Sequence, residues 1–151
     1  MVSFLELKPE ANKFAENYKE ALNNNTEYAT AAKDWGVEQE GAMVLIFEAS
    51  GEIEDDIKIY LDLKAGKCLD IKILKIDEEP PKEPILTVRA PMPTWKKIAF
   101  QELEVIKGLM QNLLKLEGDM GLAMRYAKAA AELANTLEKT DRTLLTKYKL
   151  E

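Results

Sequence analysis

The chain has 151 residues, with 21 Lys and Arg against 27 Asp and Glu, no His and one Cys, giving a net charge of −6 and a pI near 4.9. That length fits one domain, and at this size roughly 70% of the surface exposed by the unfolded chain is buried, enough for a core and a pocket together. The acidic balance argues against a phosphate-neutralising nucleic-acid surface. A single Cys permits no internal disulfide, and the lack of His removes the Ser-His-Asp and Cys-His arrangements and the commonest metal ligand.

The opening Met1-Val2-Ser3-Phe4-Leu5-Glu6 has no basic region followed by a long apolar run. No apolar stretch approaches the ~20 residues of a membrane span. We therefore expect a cytoplasmic protein without stable membrane insertion, and the overall acidity argues against docking on anionic membranes.

Residues 8–23 place Ala11, Phe14, Ala15, Tyr18, Ala21 and Leu22 on one stripe, with Lys13, Glu16 and Glu20 elsewhere, which predicts an amphipathic helix with Pro9 in its first turn. Asn23-Asn24-Asn25-Thr26 breaks that period, and a shorter helix from about Glu27 to Asp34 ends at Trp35-Gly36.

The first strand, Met43 to Ala49, is apolar on both faces and should be central. After Ser50-Gly51, the second alternates, with Ile57, Ile59, Leu61 and Leu63 inward and Lys58, Tyr60, Asp62 and Lys64 on a face expected to be wet. Ala65-Gly66-Lys67 turns into a third strand, with Leu69, Ile71 and Ile73 inward, completing a meander. The acidic, Pro-rich stretch Ile76 to Pro84 is a loop, and a fourth strand runs from about Ile85 to Ala90.

Pro91-Met92-Pro93 leads into a helix from about Thr94 carrying Trp95, Ile98 and Ala99. A second helix, about Glu102 to Gln111, carries Val105, Ile106, Leu109 and Met110, and a fifth strand spans Leu113 to Glu117. Gly118 supplies the positive φ of a sharp turn and Asp119 an N-cap, so a helix starts at Met120. Its apolar stripe is Met120, Ala123, Met124, Ala127, Ala130, Ala131, Ala134 and Leu137, opposite Arg125, Lys128 and Glu132. Such a face is either ordinary core or the wall of a cavity, since Ala leaves space and Met adapts to irregular ligands. The tail 139–151 carries Leu144, Leu145, Tyr148 and Leu150, which dock on the domain, on a second copy in a homodimer, or fray.

Catalytic chemistry is sparse. Cys68 lies in a strand with no evident base and reads as an inert thiol. Glu54-Asp55-Asp56 and Glu78-Glu79 fall in turns, where solvated charge is the default, and no phosphate loop, dinucleotide fingerprint or EF-hand spacing is present. We expect no enzyme activity, no cofactor and no metal.

Thr94-Trp95 at a helix start, the helix-to-strand turn Gln111-Asn112, the strand Leu113 to Glu117 and the Gly118-Asp119 turn, preceded by a three-strand meander, occur in an order and spacing that resembles the sterol carrier protein type 2 family over roughly residues 10–138. Where the family often has Gly before the last strand this chain has Asn112, which also tolerates the left-handed conformation. The resemblance implies an α+β fold, a five-stranded, mostly antiparallel sheet of order 3-2-1-4-5 covered on one face by helices, with a tunnel between them for fatty-acyl, isoprenoid or sterol-like ligands. It would make residues 1–138 a single lipid-binding domain and 139–151 an appended tail or short helix. On that frame the ligand-binding candidates are Phe47, Met92, Trp95, Ile98, Leu109, Met110, Leu113, Met120 and Met124. The chain ends Lys149-Leu150-Glu151 and lacks a terminal Ser-Lys-Leu, so peroxisomal targeting is not expected. A homo-oligomerisation or partner-interaction module, or an accessory domain to a lipid-metabolising enzyme, is the alternative.

Overall fold

The computed structural model describes residues 1–151. Helix α1, Phe4–Asn23, starts four residues before the expected one because Ser3 and Glu6 form a capping box, each side chain bonding the other's backbone N–H. Pro9 therefore lies inside the helix, where it removes only the bond to the carbonyl of exposed Leu5. Asn25 caps the short α2, Thr26–Ala31, through the N–H of Tyr28 at 3.0 Å.

Five strands come next: β1 Ala42–Glu48, β2 Ile57–Lys64, β3 Lys67–Leu74, β4 Leu86–Pro91 and β5 Lys115–Glu117, in the order β3-β2-β1-β4-β5. All pairs are antiparallel except β1 with β4, so the order and the mostly antiparallel character are as expected. The third strand differs in detail. Asp62 pairs with Asp70 and Leu63 with Cys68, leaving Leu69 as an extra residue in a bulge. A bulge slips the alternation by one. Leu69 is thereby turned to solvent and Cys68 into the core, where burial pushes its thiol up to about 12.

The expected wet face of β2 is also corrected. Tyr60 is buried with Ala42, Val44, Ile46 and Leu74 in a small apolar cluster on the far side of the sheet. The loop between β3 and β4 is tied across this side by Lys82 to Asp62 at 3.2 Å, while Lys72 pairs with Glu78.

The remaining helices are α3 Met92–Ala99, α4 Val105–Met110, α5 Met120–Arg125, α6 Ala127–Thr136 and α7 Thr143–Thr146, with a 3-10 turn at Leu137–Lys139. The expected single helix from Met120 breaks at Tyr126 (φ −106°, ψ 31°) into α5 and α6. Gly118 (φ 130°) has no room for a side chain against the Ile85 carbonyl and Leu86, and Asn112 takes the expected left-handed turn at φ 60°.

The tail docks on its own chain. Leu144, Leu145 and Leu150 join the main core, and Lys13–Asp141 (3.0 Å) and Glu10–Lys147 (2.5 Å) ion pairs fasten it to α1. Its last residues clasp the β1–β2 turn. Ser50 Oγ donates to the Leu150 carbonyl (2.5 Å) and the Glu52 N–H to that of Lys149 (2.8 Å).

Candidate functional site

Because alternate strand residues share a face, Met43, Leu45 and Phe47 of β1 and Ile59, Leu61 and Leu63 of β2 form one apolar floor, set side by side by the pairs Met43–Leu61 and Leu45–Ile59. Opposite it stand Trp95 and Ile98 of α3, then Val105, Ile106 and Leu109 of α4. The Trp95 ring stacks on Phe47 with centroids 4.7 Å apart, and its indole N–H donates to the Ile46 carbonyl at 2.9 Å, fixing α3 over the central strand.

Between floor and roof lies a narrow pocket of about 100 Å³. All 27 lining residues are apolar or aromatic, so nothing charged is available inside to hold a polar substrate. Two further aromatic polar tips are spent locally: Trp35 donates to the Gly41 carbonyl (2.9 Å) and Tyr18 to the Leu133 carbonyl (2.7 Å). Burial pushes the Tyr18 and Tyr28 phenols above their ordinary value, keeping both neutral. Leu45, in the middle of the central strand, is only half-buried because the space over it is unfilled. Lining residues on α4, β5 and α6 are likewise half-buried, among them Val105, Ile106, Leu116, Tyr126 and Leu133.

Of the nine candidates from sequence, Phe47, Trp95, Ile98 and Leu109 meet at this pocket. The other five are not part of its lining. Met92 is fully buried at the start of α3, away from the space, and Met124 is half-buried outside it. Met110, Leu113 and Met120 are 74%, 46% and 42% exposed. Two phase errors account for Leu113, Met120 and Met124. In β5 it is Leu114 and Leu116 that turn inward, one residue out of register with Leu113, which inverts the face. In α5 and α6 the inner stripe is Ala123, Tyr126, Ala129, Ala130, Leu133 and Ala134, which shares only part of the expected stripe. Tyr126 packs edge-on against Trp35, centroids 4.9 Å apart, and the break at that residue sets the phase of α6.

The residues missed by sequence reasoning are chiefly Tyr126, Trp35, Leu114 and Leu133. Tyr126 and Leu133 stand at helical spacings of three and four from Ala123, Ala130 and Leu137, a signal present in the sequence, whereas the inward turn of Trp35 depends on tertiary packing. The acidic pairs are occupied structurally. Asp55 accepts from the Phe4 N–H and Asp56 from that of Ala49, both at 2.7 Å, and Glu78 accepts from the N–H of Lys75.

The chain matches the SCP-2 sterol transfer family model over residues 21–131. It is similar to a crystal structure of sterol carrier protein 2, with TM-score 0.72 and 28% identity over 84% of this chain and 95% of that one. A solution structure of a conserved hypothetical protein from Thermus thermophilus, described as possibly a sterol carrier protein, has TM-score 0.68 and 28% identity over 82% and 83%. A ubiquinone synthesis protein, UbiJ-SCP2, shares the fold at TM-score 0.53 and 18% identity, over 87% and 99%. No curated protein sequence matches. With the matched region covering most of the chain, the protein belongs to the SCP-2 sterol transfer family.

Proposed function

We propose that the protein is a cytoplasmic, non-enzymatic carrier that takes a hydrophobic lipid, a fatty-acyl, isoprenoid or sterol-like chain, into the pocket between sheet and helices. Membership in the family supports lipid binding or transfer as the general activity. The observation that carries the finer reading is the wholly apolar pocket lying unfilled over the central strand at Leu45. Each methylene moved from water into such a space contributes about 0.8 kcal/mol, so an alkyl chain suffices as ligand without any charged anchor.

Native mass spectrometry of the purified protein followed by lipid extraction tests the reading, together with titration of a fluorescent fatty acid. Saturable binding at micromolar or tighter affinity is expected. Absence of saturable binding for fatty-acyl, acyl-CoA and isoprenoid probes refutes it.

A further inference from the structure

Polar groups cut off from water inside a fold are almost always hydrogen-bonded, and one that is not calls for a partner. Among the lining side chains with a polar tip, Trp95, Trp35 and Tyr18 each donate to a backbone carbonyl. Tyr126 is half-buried, so water reaches that side chain. Tyr28 differs from all four. It lines the same pocket from α2 and is only 1% exposed, yet its hydroxyl has no hydrogen-bond partner in the protein. Asn25 holds its backbone N–H as the cap of α2, which fixes where the ring enters. Burial, with a smaller contribution from the Cys68 thiol, pushes the phenol above its ordinary value. The group therefore stays a neutral O–H, able to donate one hydrogen bond and accept another.

No charged residue lines the pocket. An ionised carboxylate brought inside would lose its water and meet no cation, at a large cost, so a fatty acid must leave its head group outside. A lipid alcohol or ketone escapes that penalty once its oxygen meets the phenol. We propose that Tyr28 is the specificity-determining residue of the pocket, its phenol bonding the neutral hydroxyl or carbonyl oxygen of a lipid alcohol or ketone taken in whole. The inference rests on the lipid-carrier reading and names the class of cargo within it.

Displacement of a bound fluorescent fatty acid by dodecanol, by a methyl ketone of the same length and by dodecane tests it, in the parent and in Tyr28→Phe. Without the phenol the ligand oxygen is buried unpaired, which lowers affinity by about 5- to 100-fold, whereas dodecane has no oxygen to strand. The affinity of the alcohol or ketone relative to dodecane should therefore fall at least about fivefold in the variant. A fall for both probes supports the proposal as stated, and a fall confined to one narrows the cargo to that class. Relative affinities unchanged for both overturn it. Because the hydroxyl has no partner within the fold, ligand-free Tyr28→Phe should keep the parent's Tm, while Tyr18→Phe, which loses the bond to Leu133, should melt lower. A Tyr28→Phe protein that fails to fold, or melts as low as Tyr18→Phe, shows that the hydroxyl serves the fold and also overturns the assignment. If the fluorescent fatty acid shows no saturable binding to the parent, the carrier reading itself falls; if it binds and the relative affinities do not move, only the role of Tyr28 falls.

Discussion

Replacing Ala130 by Phe puts the pocket to its sharpest test. Ala130 lines the space from α6 and is half-buried, so a larger side chain can enter the existing void instead of displacing packed atoms. A Phe ring brings about as many carbons as six methylenes of a bound alkyl chain. At about 0.8 kcal/mol for each buried methylene, excluding that length of chain costs about 5 kcal/mol. That corresponds to roughly three and a half decades of affinity. A flexible ligand recovers part of this by bending elsewhere, so a loss of at least about 100-fold is expected. The strain of filling the site should stay within the about 1–3 kcal/mol typical of overpacking.

The assay is titration of the fluorescent fatty acid, with circular dichroism and thermal unfolding to confirm the fold. Ala131→Phe is the control, since Ala131 is exposed and outside the lining even though its sequence position put it on the same expected stripe. It should bind like the parent. A folded Ala130→Phe protein of undiminished affinity, or equal losses in both variants, would refute the assignment of this pocket as the ligand site.

Three further outcomes are tied to particular contacts. Trp95→Phe removes the hydrogen bond to the Ile46 carbonyl, a loss of about 1 kcal/mol, and calorimetry should record a fall in Tm of about 2–4 °C for a chain of this size. Leu145→Ala empties a fully buried position in α7, costing about 2–5 kcal/mol in urea unfolding, while lipid affinity stays unchanged because no residue of the tail lines the pocket. Asp141 is held down from its usual 3.8 to about 2 by hydrogen bonds from the Thr143 side chain and backbone and by Lys13. A depressed carboxyl stabilises the fold above its unfolded value and loses that effect as pH falls through the folded one. Hydrogen exchange should therefore show α7 loosening progressively below about pH 4, and Asp141→Asn should be loosened already at neutral pH.

The meander and the strand order were legible in the sequence for different reasons. The meander comes from clean alternation between short turns at Ser50-Gly51 and Ala65-Gly66-Lys67. The strand order came from resemblance, since nothing local to β4 chooses which neighbour it pairs with. The errors share one cause. Periodicity reports that a face exists, but its phase depends on irregularities that leave little trace in composition. The bulge at Leu69 moves Cys68 inward, and the break at Tyr126 sets the helical stripe behind it. The burial of Tyr60 required knowing that Lys82 crosses to Asp62 from a loop many residues away.

The methionines carry the more general lesson about how this fold keeps space open. Their flexibility made them natural candidates for an adaptable wall, yet Met110 and Met120 stand in solvent and Met92 is packed solid. On α5 and α6 the lining is instead supplied largely by Ala123, Ala129, Ala130 and Ala134, whose side chains end at Cβ, beside Tyr126 and Leu133. A long flexible side chain beside a void tends to fill it, because every contact it gains adds dispersion energy. Alanine has no such option. The space over Leu45 persists because the alanines of the helical wall have nothing to put there, while Trp95 stacked on Phe47 fixes α3 over the floor and the Tyr18 bond to the Leu133 carbonyl ties α1 to α6. An empty apolar volume costs stability in proportion to its size, and a lipid chain entering it recovers that cost, so ligand binding should raise the Tm of this protein beyond what added hydrogen bonds could supply.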